Sequence, residues 1–157
     1  MIHETAQIDS SAEIDPSVEI GPYSIIGPNV KIKSGTKIEG SVVIHQNTSI
    51  AKNNHIYPFA SIGGDPQDLK YDGEETFLEI GENNQIREGV TISRGTAQES
   101  SVTKIGNNNL LMAYTHIAHD CILENDIVMT NNAGVAGVVR VGNGARLSGF
   151  TLVHQFC

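Results

Sequence analysis

Tryptophan is absent from this chain, and phenylalanine and tyrosine contribute only four residues each. Any core it forms must therefore be aliphatic and thin, without large aromatic rings to fill it. Cations are also scarce: ten Lys and Arg stand against eighteen Asp and Glu, for a net charge of −8. The few basic residues are scattered, which speaks against a nucleic-acid surface. No apolar run approaches the roughly 18 residues of a membrane-spanning helix, and no signal-peptide pattern precedes the first patterned residue, Ile2. A cytoplasmic protein without an integral membrane segment is expected. The two cysteines, Cys121 and Cys157, fit that compartment.

What the chain has in abundance is a six-residue beat. Isoleucine recurs at every sixth position from Ile2 to Ile62, then at Ile80, Ile86 and Ile92. After a second break the beat runs through Ile105, Leu111, Ile117, Leu123, Met129, Val135, Val141, Leu147 and Val153. A strict period of six is neither the 3.6 of a helix nor the 2 of a strand. It describes short strands separated by regular turns, wound into a parallel β-helix of about 18 residues per coil. At 157 residues the chain is read as one such domain, spanning 1–157.

The fifth place of each hexad supports this reading. It holds Ala6, Ala12, Val18, Ser24, Val30, Thr36, Val42, Thr48 and Ala60, mostly small or β-branched residues that would complete a narrow core. Gly, Asn, Asp and Pro collect between the aliphatic positions, where turns need a permissive backbone. Helical stretches are expected to be no longer than a turn or two. Cys121 and Cys157 both fall in fifth places, two coils apart on this count. At about 4.8 Å per coil their separation exceeds the reach of a disulfide, and both are expected to fill the core.

Two interruptions, Gly63 to Glu79 and Ala97 to Lys104, are expected to leave the wall as loops, the first replacing two hexads. Loops on a rigid scaffold frequently carry function. The first holds Gln67, Asp68, Lys70 and Tyr71 within five residues, groups suited to a polar ligand.

Of six histidines, His3, His45 and His55 lie in ordinary coils and read as solvated wall residues. The run Thr115-His116-Ile117-Ala118-His119-Asp120-Cys121 differs. His116 and His119 would suit zinc only with a third ligand, and none is evident. Spacing of three along an extended strand also points the rings apart, so no metal is expected. Register favours catalysis instead. Adding 18 to His119 reaches Gly137, and adding 18 again reaches Gln155, so the three would stack about 4.8 Å apart. A histidine able to take a proton near neutral pH would then lie one coil from a glycine amide that a reacting group can approach closely.

The hexads do not stand alone. The loop Gln67-Asp68-Leu69-Lys70-Tyr71-x-Gly73-Glu74-x-Thr76, Arg94-Gly95-Thr96, Asn109-Leu110-Leu111-Met112, His116-Ile117-Ala118-His119-Asp120-Cys121, Asn131-Asn132 and His154-Gln155-Phe156-Cys157 together resemble the UDP-N-acetylglucosamine acyltransferases of lipid A biosynthesis. The resemblance covers the whole chain. It implies a left-handed parallel β-helix and a homotrimer with active sites between subunits. It also implies transfer of an (R)-3-hydroxyacyl group from acyl carrier protein to the 3-hydroxyl of UDP-N-acetylglucosamine. No metal or dissociable cofactor is implied, because the acyl group arrives on the carrier's phosphopantetheine. On this pattern His119 is the general base, Asp120 its support and Gly137 the oxyanion donor. Asp120 needs a bend to reach its neighbour, since adjacent strand residues face opposite sides. Asp68 and Lys70, with Gln67 beside them, match the loop groups that hold the nucleotide sugar. His116, His154 and Gln155 match further substrate contacts.

The chain departs from the family pattern in three places. Val138 and Ser93 stand where the family often has histidine, which leaves open a hydroxyl or an amino acceptor. The alternatives are a sibling N-acyltransferase acting on an amino-sugar nucleotide and a non-catalytic β-helix that only trimerises. The family also continues with further coils and a helical domain bearing basic carrier-protein contacts and the residues that set acyl length. This chain ends at Cys157, so a fragment with little pull on an acidic carrier protein is expected.

Overall fold

The computed structural model describes residues 1–157 and contains only strands and turns, with no helix. Twenty-two short parallel strands form three sheets of eight, seven and seven strands. Successive strands pass from one sheet to the next, so each neighbour within a sheet comes from the coil before or after. The result is a left-handed parallel β-helix with three flat faces. Ordinary coils take eighteen residues, as in the pairing of Ile26 with Ile44 and of Ile117 with Val135.

The aliphatic beat is the core. Ile20, Ile26, Ile32, Ile38, Ile44, Ile50, Ile56 and Ile62 are all at most 2% exposed. They stack directly on one another across coils. In a two-residue strand such as His116–Ile117 the second residue points inward and the first outward. The fifth place of each hexad also points inward, and its polar members find partners there. Asn54, Asn84 and Asn109 form a buried column. Each side-chain oxygen accepts the backbone N–H of the fifth-place residue one coil on: Asn84, Asn109 and Ile127, at 2.8 to 2.9 Å. Each amide group donates to a carbonyl of that next coil, Gly81, Gly106 and Glu124. Buried amides are tolerated because every donor and acceptor has a partner.

The corners obey two backbone rules. Outside the two insertions the fourth place of the hexad adopts the left-handed conformation from Tyr23 onward, and asparagine and aspartate occupy it often, as at Asn29, Asn47, Asn53, Asn108 and Asp126. Outside the insertions the third-place N–H makes no backbone hydrogen bond. Proline, which has no N–H to lose, fits there, and Pro16, Pro22, Pro28 and Pro58 all occupy third places. One corner also carries aromatics: Tyr23, Phe59, Tyr114 and Phe150 project from alternate coils, each at least 66% exposed.

The loops differ from expectation at their edges. Strands Ser61–Gly64 and Phe77–Ile80 lie in neighbouring faces, so the wall passes directly from one to the other. The first interruption is therefore an insertion within a coil and replaces no hexads. Ile50 pairs with Ile80, thirty residues on instead of eighteen. The second insertion ends sooner than expected, because Val102–Ile105 is already strand.

The ordinary-coil histidines also need correction. His45 is half-buried and hydrogen-bonded to Ser61 at 2.9 Å. His55 is half-buried, pairs with Glu39 at 2.8 Å and stacks on Tyr57. His3 alone of the three is exposed. Cys121 is buried as expected, but Cys157 is exposed on the last coil, with no coil packed above it.

Candidate active site

A groove of about 650 Å³ runs up the eight-stranded face beside the first loop. His116, His119, Gly137, His154, Gln155 and Gln67 all line it. The register argument is borne out: Val138 N–H donates to His119 O at 3.0 Å, and Phe156 N–H to Gly137 O at 3.2 Å. These bonds place the three corners one above another.

The His119 ring lies flat against Gly137. A methyl group at Gly137 would stand 2.5 Å from Cε1 and 2.6 Å from Nε2. Glycine is required at this point for its missing Cβ, since its backbone is not in the left-handed region. Its N–H, in the third place of the hexad, makes no hydrogen bond. An unused donor therefore lies directly beside the imidazole.

Asp120 completes the pair. Its φ of 59° supplies the bend that strand geometry lacks, and Oδ2 comes to 2.8 Å from His119 Nδ1. Both residues are at most 6% exposed. Burial alone would raise the Asp120 pKa. It is outweighed by hydrogen bonds from the Thr96 hydroxyl and amide, from His119 and from Ser100, which together hold the carboxyl below its ordinary value. With Nδ1 engaged by a carboxylate, Nε2 is the nitrogen left to face the groove.

The other expected residues divide. Asp68 reaches the site, with Oδ2 3.8 Å from His119 Nε2, too long for a direct hydrogen bond. Lys70 does not: it is exposed and absent from the groove, and its amide closes a turn on Asp68 at 2.9 Å. His116 lines the groove beside His119, so the two rings share one space. Spacing along a strand misjudged this, because His116 opens a two-residue strand while His119 lies in the turn that follows it. Burial, reinforced by the nearby His119, pulls the His116 pKa below that of free histidine, and Thr91 bonds its Nδ1 at 2.7 Å. His154 and Gln155 are exposed along the upper groove.

Several residues that act on the site were given no role of their own by the sequence. Arg94 is fully buried and ties down the first loop, donating to Gly63 O at 2.6 Å, Asp65 at 2.5 Å and Tyr71 Oη at 2.9 Å. Thr96, Ser100 and Thr103 surround Asp120. The run Arg94-Gly95-Thr96, one of those carrying the resemblance, was the available signal for two of them.

Known proteins share this sequence and fold. Residues 1–34 match the family model described as bacterial transferase hexapeptide (six repeats). The O-acyltransferase of Stutzerimonas stutzeri named for acyl carrier protein and UDP-N-acetylglucosamine is 57% identical over 110 residues, covering 70% of this chain and 43% of that protein. LpxA from Acinetobacter baumannii superposes with a TM-score of 0.99 at 54% identity, covering 99% of this chain and 60% of that one. The UDP-N-acetylglucosamine acyltransferase of Francisella novicida gives a TM-score of 0.99 at 47% identity, covering 100% and 57%. A coiled wall of hexads of this kind places the chain among the hexapeptide-repeat proteins. Within that class the chain belongs to the UDP-N-acetylglucosamine O-acyltransferase family. It spans about two fifths of the length of the curated relatives it matches.

Proposed function

We propose that this site moves an (R)-3-hydroxyacyl group from acyl carrier protein to the 3-hydroxyl of UDP-N-acetylglucosamine, the first step of lipid A biosynthesis. The observation that carries this reading is the His119 ring, held by Asp120 at Nδ1 and lying against the unpaired N–H of Gly137.

His119 Nε2 removes the proton of the sugar hydroxyl as its oxygen attacks the thioester carbon. A general base of this kind contributes about 10²- to 10⁴-fold. The new C–O bond leaves a tetrahedral centre whose oxyanion accepts the Gly137 N–H, a donor worth about 10²- to 10³-fold in comparable sites. As the C–S bond breaks, the imidazolium returns its proton to the departing phosphopantetheine thiolate. Ester and thiol are then the products, with no proton unaccounted for. No metal or dissociable cofactor takes part. Asp68, beside Nε2, is placed to receive the sugar, and Gln67, His116, His154 and Gln155 are placed to line the bound substrates. Lys70, exposed on the first loop, is assigned to the nucleotide's phosphates.

The protein is assigned to the cytoplasm, where both substrates occur; no helix is long and apolar enough to cross a membrane. A homotrimer is proposed, and the exposed aromatics of one corner, Tyr23, Phe59, Tyr114 and Phe150, support self-association.

The test is transfer from hydroxyacyl carrier protein to UDP-N-acetylglucosamine by the purified chain, with His119→Ala as the comparison. Transfer that falls at least 10²-fold in the variant, with an unchanged circular dichroism spectrum, is expected. Full activity in the variant overturns the base assignment. Transfer only to the 3-amino analogue of the sugar replaces the O-acyl reading with an N-acyl one.

A further inference from the structure

The catalytic pair is held from outside the wall by an insertion. The second loop leaves strand Thr91–Ser93 and turns so that Thr96 meets Asp120 twice. Its hydroxyl donates to Oδ2 at 2.6 Å, and its N–H reaches Oδ1 and Oδ2 at 3.0 and 3.1 Å. Ser100 of the same loop adds a bond to Oδ1 at 3.1 Å. From the wall, Thr103 Oγ1 accepts the Asp120 N–H at 2.9 Å, which fixes the backbone but leaves the carboxylate to the loop. Thr96 is fully buried, so its two bonds are made without competition from water. Gly95 makes the approach possible: a side chain there would collide with the Val102 backbone.

The count of bonds shows what Thr96 does. Asp120 bends back onto its neighbour through a left-handed residue, and only one contact, to Nδ1, ties its carboxylate to the imidazole. Rotation of that carboxylate would release Nδ1 and let the ring change tautomer or turn away from Gly137. The Thr96 bonds oppose that rotation, because they engage both carboxylate oxygens, including the Oδ2 that meets Nδ1.

We propose that Thr96 is a positioning residue for the reaction: its hydroxyl and amide aim the Asp120 carboxylate at Nδ1 of His119, which leaves Nε2 as the proton acceptor in the groove. The second loop is then part of the catalytic apparatus although none of it lines the groove. This inference rests on His119 being the base, so its test includes a reading that needs no turnover.

The variants are Thr96→Val, which keeps shape and N–H but removes the hydroxyl, and Thr96→Ser, which restores it. Nitrogen-15 spectra of histidine-labelled protein report the tautomer of His119. The Nδ1–H form should dominate in the native protein and in Thr96→Ser, and give way to a tautomer mixture in Thr96→Val. In the transfer assay Thr96→Val should lose about tenfold or more in kcat, with both KM values within about twofold, as expected of an imprecisely aimed base. The acid limb of its kcat/KM profile should move up by about one pH unit, because a carboxylate deprived of a charge-assisted bond keeps the pair's proton longer. Thr96→Ser should restore both. Native-like tautomer, kcat and pH profile in a folded Thr96→Val protein overturn the proposal. Absence of transfer by the native protein, with the tautomer change still seen, counts against the reaction assigned and leaves the role of Thr96 standing.

Discussion

Replacing Gly137 by alanine is the sharpest perturbation the site offers. The added methyl carbon would stand 2.5 Å from Cε1 of His119, 2.6 Å from Nε2 and 3.1 Å from Nδ1. Favourable contacts between such atoms lie near 3.5 to 4.0 Å, so the ring must recede by about 1 Å. Its retreat is opposed by the 2.8 Å bond from Nδ1 to Asp120. If the ring moves by that amount the bond is lost, at about 1.5 to 3 kcal/mol for a hydrogen bond to a charged group. If it stays, overpacking costs about 1 to 3 kcal/mol. Either way the melting temperature should fall by several degrees, at about 2 to 4 °C per kcal/mol for a chain of this size. A base displaced by 1 Å should cost about 10²-fold in kcat/KM. Because the Gly137 backbone is outside the left-handed region, none of this loss is backbone strain. Gly142→Ala is the control, since a methyl group there meets nothing within 4 Å. Steady-state transfer kinetics and thermal melts on the three proteins decide the matter. A Gly137→Ala protein with native melting and native kcat/KM would refute the placement of the ring against this glycine.

Two further outcomes concern the scaffold. Asn84→Ala strands the Asn109 N–H and the Gly106 carbonyl and strips Asn54 Oδ1 of one donor. At about 1 to 3 kcal/mol for each buried group left unpaired, chemical denaturation should show a loss of roughly 2 to 6 kcal/mol, whereas a replacement of exposed Lys52 should change little. Stability should also fall in mild acid. Burial lowers the pKa values of His116 and His45, so folding favours their neutral forms. That contribution is complete above the unfolded value of about 6.5 and is lost as pH falls through the lowered folded values. Melting temperatures should therefore decline below about pH 6.5, and the double replacement His45→Gln with His116→Gln should flatten the decline.

Much of the wall was legible because its side chains repeat. Ile2 through Val153 mark the inward line, and eighteen-residue arithmetic carries His119 onto Gly137 and Gln155 without further information. Handedness was not legible in the repeat, since the same beat suits either screw; it came from resemblance. The asparagine column was missed for a physical reason. Asn54, Asn84 and Asn109 look like turn residues in isolation, and only the stacking of fifth places shows that each satisfies the next. The loops resisted reading for a related reason. Nothing periodic specifies where an insertion docks, and the buried Arg94, with Gly63, Asp65 and Tyr71 as partners, decides it here. That docking is why Asp68 reaches His119 while Lys70, two residues on, does not. Cys157 departed from expectation because a fifth-place side chain is buried only when the next coil packs upon it.

The third-place amide has a consequence beyond this site. Outside the insertions every corner of the coil turns out one N–H that the ladder does not use, and where no donor is needed the chain can place proline. The wall is thus a regular rack of such donors, about 4.8 Å apart; on one edge side chains of neighbouring coils take them, at Glu82, Asn107, Asn125 and Asn143. Gly137 differs from its equivalents elsewhere on the edge chiefly in having a histidine one storey below and no side chain of its own. Making such a site requires no change of fold. It requires one bare position and one imidazole in the same column, so the scaffold can host the same chemistry at another height while its core remains untouched.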